Sequence, residues 1–335
     1  MRIFVTGGAG FIGSNFIRYA MAQDSDVRIT NFDKLTYAGN PANLADLADD
    51  ARYDFVKGDI CDGDHLREVL PGHDAVVNFA AESHVDRSIT GGAEFMVANV
   101  VGAQTIFDVA RKAEIGNFLH ISTDEVYGSV EEPDSFREGD GLEPNSPYSV
   151  SKAAADLLAR AYNVTYDYPV TVTRTANNFG PYHFPEKVIP LFVSNLIDGK
   201  NVPLYGEGQN IRDWTYVIDN AAAQWLVLTQ GTPGEVYNVG AGNEITNKQL
   251  TYAILERFGL TGEAADARID FVADRPGHDL RYSVDTTKVR ELGWTPGHTF
   301  EEALDATIEW YRANEAWWRP LKQAGASDRQ GLVRK

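Results

Sequence analysis

Three consecutive side chains, Thr123, Asp124 and Glu125, bring a hydroxyl and two carboxyl groups together in this 335-residue chain. They follow the apolar run Phe118-Leu119-His120-Ile121, which reads as a strand ending where polar residues begin. Ligands of an open α/β sheet bind beyond the carboxyl ends of its strands, so all three residues would enter a cleft side by side. Two carboxyl groups whose proton affinities are pushed apart make one acid and one base. The same pair reads equally well as a strand-end turn with two solvated acids. Weighing against that is Tyr148-Ser-Val-Ser-Lys152, which follows Pro144 and Pro147 and opens a helical run. A spacing of four puts Tyr148 and Lys152 on one helical face. A phenol titrates at about 10 and is a poor base, and a neighbouring ammonium is expected to bring that value down. Tyr-x-x-x-Lys occurs on many helices by chance and gains force only beside a dinucleotide site.

The N-terminus supplies one. Ile3-Phe4-Val5 leads into Thr6-Gly7-Gly8-Ala9-Gly10-Phe11-Ile12-Gly13 and then an amphipathic run to Ala22. Between a strand and a helix, Gly7, Gly10 and Gly13 permit a tight turn and close approach of a pyrophosphate to the helix N-terminus. A second strand over 27–32 ends at Asp33, where a carboxylate accepts hydrogen bonds from a ribose and repels a 2′-phosphate, favouring NAD over NADP. A third strand, over 53–57, precedes Asp59 and Ile60, which either flank an adenine or, for Asp59, cap a turn. A fourth, over 75–79, leads to Ala80-Ala81-Glu82-Ser83-His84, where small residues let the chain pass close to a cofactor. His84, with Asp86 and Arg87 behind it, reads as a substrate contact or as a structural histidine. A helix over 95–113, the strand before Thr123 and a sixth strand over 170–174 complete the pattern. Strands alternating with helices predict an α/β fold, a Rossmann-like doubly wound parallel sheet.

Past residue 176 the alternation stops in Asn177-Asn178-Phe179-Gly180-Pro181. Residues 1–176 are expected to form the dinucleotide domain, joined by later segments such as 211–240. Residues 177–323 would form a smaller, discontinuous, mixed α/β substrate domain, and 324–335 a frayed tail. Asp219 is expected to begin a helix with Ala222, Trp225, Leu226 and Thr229 on its apolar face, and Asn247 to cap another reaching Phe258. Trp294, Trp310, Trp317 and Trp318 are expected to pack the C-terminal helix. Lys187, Arg212, Arg275 and His278 fall on loops, and cations converging on a cleft would suit a diphosphate.

The chain carries 48 acids against 30 bases, a net charge of −18, which disfavours nucleic acid and anionic lipid as partners. Lysine is scarce, 10 against 20 arginines, a balance that suits a salt-adapted cytoplasm. Cys61 is the only cysteine, so no disulfide forms within the chain, no clustered-cysteine zinc site exists and a reducing cytoplasm is expected. No metal is expected elsewhere. No apolar run reaches the ~18 residues of a membrane span, and the first residues enter strand pattern without a signal-peptide layout.

With these residues assembled, the chain resembles the extended short-chain dehydrogenases/reductases and, among them, the dTDP-glucose 4,6-dehydratases. The matching stretches, 6–16, 33–40, 80–89, 120–128, 146–152, 177–191, 208–217 and 274–278, span nearly the whole chain. The Gly-rich turn and Tyr-x-x-x-Lys belong to the superfamily at large. Thr-Asp-Glu at 123–125 with Glu-Ser-His-Val-Asp-Arg-Ser at 82–88 is more specific, because related 4-epimerases lack the acid pair.

The resemblance implies a hydro-lyase with tightly bound NAD that converts dTDP-glucose to dTDP-4-keto-6-deoxyglucose. It implies that Tyr148 takes the 4-hydroxyl proton as C4 is oxidised, while Lys152 holds the ribose and the phenolate. Thr123 would bond the C4 oxygen, Glu125 remove the acidified C5 proton and Asp124 protonate the departing 6-hydroxyl, with hydride returned to C6. By the same resemblance Phe11, Ile12, Asp33, Lys34, Leu35 and Thr36 line the NAD site. Asp59, Ile60, Ala80, Ala81, Ser83 and Asn178 complete it. His84, Asn177, Lys187, Val188, Leu191 and Phe192 would hold the nucleotide sugar together with Pro203, Tyr205, Arg212, Asn247, Arg275 and His278. A homodimer through helices 95–113 and 149–166 is implied as well. Ala98 departs from the threonine usual near the nicotinamide, and Thr175-Ala176 from the usual Cys-Ser. The alternatives are a dehydratase for UDP- or another nucleotide sugar, a 4-epimerase, and a non-catalytic NAD-sensing module. An epimerase has no use for the acid pair, and a sensor none for the pair or for Tyr148 and Lys152.

Overall fold

Ile3, Phe4 and Val5 are apolar without alternation, which suits a parallel strand covered on both faces. In the computed structural model of the chain, which describes residues 1–329, they lie in β1 (Arg2–Thr6), and all three are fully buried. The following strands are β2 (Arg28–Asp33), β3 (Tyr53–Lys57), β4 (Ala75–Asn78), β5 (Asn117–Thr123) and β6 (Val170–Thr175). Then come β7 (Asn177–Phe179), β8 (Val202–Tyr205), β9 (Ile211–Tyr216), β10 (Val236–Val239), β11 (Glu244–Thr246) and β12 (Ile269–Val272). A seven-stranded sheet runs β10-β6-β5-β4-β1-β2-β3 with every neighbour parallel, the doubly wound architecture expected. Strand order reverses between β1 and β4, so the crevice beyond their carboxyl ends opens there.

Ile3, Val5, Val77 and Leu119 pack on one face beneath helices Phe11–Gln23 and Val217–Gln230. Phe4, Val76 and Phe118 pack on the other beneath Gly102–Lys112 and Pro147–Tyr166. A separate core holds helices Val188–Ile197, Asn247–Arg257 and Phe300–Ala313 together with the three-stranded sheet β11-β9-β7 and the pair β12-β8. No described helix is long and apolar enough to cross a membrane, and no described cluster of His, Cys, Asp and Glu could hold a metal ion.

Several local expectations need correction. The helix expected over 95–113 runs unbroken over 92–112 but holds a π-turn, Val97–Val101, between Gly92–Met96 and Gly102–Lys112, and Ala98 sits in that turn. Asn247 is the first helical residue, not the cap; Thr246 makes a capping box with Gln249, and the helix ends at Arg257. In helix Val217–Gln230, Ala222, Trp225 and Leu226 pack against the core as expected, but Thr229 is exposed, and Ala221, Gln224 and Leu228 are buried as well. Gln224 is buried because it bonds Thr173 and Asn220, a pairing that hydropathy alone does not reveal. Trp294 packs in the main sheet's core and donates to the Asp219 carbonyl rather than joining the C-terminal helix. The frayed tail expected over 324–335 falls partly on 330–335, outside the described residues, and the helix Glu315–Arg329 covers the rest.

Candidate active site

At the end of β1 the chain turns through Gly7, whose φ of +67° favours glycine. A Cβ on Gly7 would lie 2.6 Å from the Ala80 nitrogen, and one on Gly13 would lie 2.5 Å from the Gly7 carbonyl. Helix Phe11–Gln23 then begins at Gly10 with no side-chain cap and no acid in its first turn. Ser146, Thr246 and Thr299, by contrast, cap their own helices. The first N–H groups of the Phe11 helix, Phe11 and Ile12 among them, are thus left for an anion. Asp33, at the end of β2, accepts the Ala9 N–H at 2.9 Å and the Leu35 N–H at 2.8 Å, which fixes residues 33–36 beside the Gly turn. Asp59 caps its turn, accepting the Cys61 N–H at 2.9 Å, and pairs with Lys34 at 2.8 Å. Ile60 is buried, its side chain packed close to Gly102. Ala80, Ala81 and Ser83 line the chain leaving β4. Asn178 donates to Thr175 Oγ1 and the Ala176 carbonyl at 3.0 Å each, and its buried Oδ1 has no partner. An open helix end, a cradle that a Cβ would fill and an orphaned amide oxygen fit a dinucleotide.

β5 delivers Thr123, and a short turn, Asp124–Val126, follows because the Thr123 hydroxyl accepts the Glu125 N–H. The same hydroxyl donates to Asp124 Oδ1 at 3.2 Å and lies beside the Tyr148 phenol, whose ionised form it favours. Tyr148 enters from helix Pro147–Tyr166, which Ser146 and Ser149 start with a capping box. Thr123, Asp124, Glu125 and Tyr148 therefore meet as expected. Burial and then Glu125 push Asp124 up to about 8, so it keeps its proton at neutral pH. Burial raises Glu125 also, but Arg275, Arg212 and Lys187 oppose that rise. The expected effect of Lys152 on Tyr148 is corrected: burial, then Glu125, raises the phenol well above its ordinary value. The Lys152 ammonium instead donates to the Ile121 carbonyl at 2.6 Å, and burial brings it down to about 8.

The cations lie across the cleft. Lys187 precedes helix Val188–Ile197, which also lacks a side-chain cap and an acidic first turn, and donates to the Ser83 carbonyl at 3.0 Å. Arg212 lies within β9, not on a loop, tied to the Leu280 and Asp279 carbonyls and stacked 4.0 Å over Tyr282. Arg275 reaches Asp86 at 3.3 Å, and Tyr205 donates to the same carboxylate at 3.3 Å. His278 bonds Asp274 at 2.7 Å. His84 caps helix Val85–Thr90 and lies 3.6 Å from Glu186, so its role in the fold is structural whatever else it does. Leu191, Asn177 and Pro203 are half-buried. Phe192, at 2 % exposure, packs in the second core.

The family model described as GDP-mannose 4,6 dehydratase matches residues 4–307. The chain belongs to that nucleotide-sugar dehydratase family. A dTDP-glucose 4,6-dehydratase of Streptomyces niveus is 52 % identical over 327 residues, 96 % of each chain. The dTDP-glucose 4,6-dehydratase DesIV of Streptomyces venezuelae, solved with NAD bound, is 51 % identical with a TM-score of 0.92, covering 96 % of this chain and 100 % of that one. A Thermus thermophilus UDP-glucose 4-epimerase solved with NAD superposes at 0.85, covering 94 % of this chain and 100 % of its own, but only 28 % of residues are identical.

Sequence reasoning missed two features of this dehydratase. Asn99 bonds the Glu82 backbone in both directions and donates to Ser151 at 2.8 Å, holding the segment after β4 to the helix that carries Tyr148. Arg174 and Asp156 form a buried ion pair at 2.8 Å behind Lys152. A buried asparagine leaves no signal in hydropathy; Asp156, one helical turn past Lys152 on an otherwise apolar stretch, was the available clue.

Proposed function

We propose that this protein is a dTDP-glucose 4,6-dehydratase, removing water across C5–C6 of the hexose to leave a 4-keto-6-deoxy sugar. The observation that carries the reading is the acid pair beside Tyr148: Asp124 keeps its proton at neutral pH, while three cations favour the ionised form of adjacent Glu125. Bound NAD supplies the hydride acceptor and donor at C4 and C6. Tyr148, once ionised to the phenolate, accepts the proton of the 4-hydroxyl, and Thr123, beside the phenol, is placed to hold the C4 oxygen. Glu125 takes the C5 proton, and Asp124 gives its own to the departing 6-hydroxyl. Lys152 keeps a positive charge beneath the end of β5. Elimination needs an acid and a base on neighbouring atoms; epimerisation at C4 does not.

The uncapped end of helix Phe11–Gln23 would take the NAD pyrophosphate, and that of Val188–Ile197, with Lys187, Arg212 and Arg275, the substrate diphosphate. On this reading residues 1–176 with β10 serve the cofactor and the remainder mainly the sugar nucleotide. A homodimer through the helices over 95–113 and 149–166 is part of the proposal. It is supported by the exposed apolar side chains of Val97, Val101, Leu157 and Val164 on those two helices. Incubating the purified protein with dTDP-glucose and no added reductant is the test. A 4-keto sugar absorbing in alkali, with solvent deuterium incorporated at C5, is expected. A 4-epimer, or no product with dTDP-glucose but turnover of UDP-glucose, would replace this reading.

A further inference from the structure

Lys152 is buried, and a buried ammonium needs a counter-charge. Its ammonium donates to a neutral carbonyl, that of Ile121, at 2.6 Å. Asp156 lies four residues further along the same helix, also buried, on the face Lys152 occupies. Its Oδ2 accepts from Arg174 Nε at 2.8 Å, while its Oδ1 is buried without a partner. Arg174 is held in turn, donating to the Tyr127 hydroxyl at 2.7 Å and the Glu138 carbonyl at 3.2 Å. Tyr127 donates to Asn238 Oδ1 at 2.8 Å. Asp156 thus joins helix Pro147–Tyr166 to β6 and, through Arg174 and Tyr127, to β10, with its charge set between two cations.

We propose that Asp156, clamped by Arg174, is a positioning residue for the dehydration: it anchors the Lys152 ammonium, charged, beneath the end of β5. The groups facing Lys152 leave this task to Asp156. From β5, His120 is buried and held uncharged, so it offers no negative charge. From β6, the charge of Arg174 is directed at Asp156. On its own helix Tyr148 is a neutral phenol, and Asp124 and Glu125 stand on the Tyr148 side. Burial pulls the ammonium down, and Asp156 is what opposes it. The same carboxylate also disfavours the Tyr148 phenolate, so it sets the poise of both groups.

This inference rests on the dehydratase reading, and the test separates the two. Asp156→Asn keeps the shape and removes the charge. Both limbs of the kcat–pH profile should then move to lower pH by about one unit, with KM for dTDP-glucose changed less than about threefold. At pH 9 this makes turnover roughly tenfold slower than wild type. Asp156→Glu, which restores the charge, should return the limbs to their wild-type positions even if kcat stays lower. Because the single change leaves Arg174 buried without its partner, the double variant Asp156→Asn, Arg174→Met is measured too; it removes both charges and should show the same displacement. A second readout is independent of turnover. In 13C-lysine-labelled protein with its bound cofactor, the ε-carbon resonance lost in Lys152→Met should titrate at lower pH in Asp156→Asn than in wild type. Unmoved limbs and an unmoved Lys152 titration in both Asn-containing variants would overturn the proposal. A wild-type enzyme that makes no 4-keto sugar would instead defeat the dehydratase reading, leaving the resonance titration to decide the role of Asp156.

Discussion

Asp124 and Glu125 are adjacent in sequence yet unlike in surroundings, and that difference assigns their roles. Asp124 lies with Oδ1 on the Thr123 hydroxyl and Oδ2 buried without a partner, an arrangement that suits a protonated acid. Glu125 looks toward Arg275, Arg212 and Lys187. Glu125→Gln is therefore expected to lower kcat by roughly 10²–10⁴-fold and to suppress C5 deuterium exchange in the product to the same degree. Product forming at the wild-type rate in that variant would remove Glu125 from the base role. Asp124 has a second consequence, for stability. Its folded-state value of about 8 lies above the ordinary carboxylate value, so the folded protein binds a proton that the unfolded chain releases. Stability contributed by this group is full below about pH 4 and is lost as pH rises toward 8. Asp124→Asn cannot ionise, so its melting temperature should exceed that of wild type by roughly 5 °C at pH 8, with the gap closing toward pH 5. An equal gap at both pH values would show that packing, not ionisation, sets the difference. The acid pair was legible in the sequence because its members are contiguous. The sign of the Tyr148 perturbation was not, because a spacing of four shows that Lys152 shares a face and not that its ammonium turns to Ile121.

Elements that repeat a strong local pattern were readable. β1 to β6 carry apolar runs bounded by polar turns, and helix Pro147–Tyr166 announces itself with Ser-Pro-Tyr-Ser. β7, at three residues, and β11, also three, are too short for a period to register, and each is held by pairing with β9. That pairing is long-range information. The Gly-rich turn carried its signal in composition, and its consequence can be tested at the level of the turn. Gly13→Ala introduces a Cβ 2.5 Å from the Gly7 carbonyl and 2.8 Å from the Gly8 Cα. Backbone must move to admit it, which displaces the N–H groups that would face the pyrophosphate. The protein should still fold on its two cores, lose most of its co-purifying NAD, and regain part of its activity in excess NAD. Wild-type NAD content after purification would show that the turn tolerates the methyl group and that this close approach is not what holds the dinucleotide.

Across the whole molecule, a net charge of −18 repels other copies at long range, yet one face invites association. On helix Pro147–Tyr166 the exposed apolar residues Val150, Leu157 and Val164 are seven apart, a stripe along one side. Beside it, Val97 and Val101 are exposed on the neighbouring helical segment at 53 % and 50 %. The inward sides of both helices are already committed to the core of the main sheet, so this stripe has no use within one chain. A two-fold axis between the stripes would bury each residue twice and build a four-helix interface from two copies. Leu157 and Val164 are 57 % and 72 % exposed in the single chain. Covering a side chain of this size stabilises by about 1.5–3 kcal/mol. Leu157→Lys removes that twice per dimer and places two like charges near the axis, so the dimer dissociation constant should rise at least about 100-fold. Sedimentation across a concentration series would read this directly: a wild-type dimer, and a Leu157→Lys monomer that keeps its circular dichroism. Because helix Pro147–Tyr166 also carries Tyr148 and Lys152, the monomer should turn over more slowly, as the helix loses its contacts with the partner copy. A wild-type monomer at micromolar concentration, or a Leu157→Lys variant as dimeric as wild type, would place the interface elsewhere.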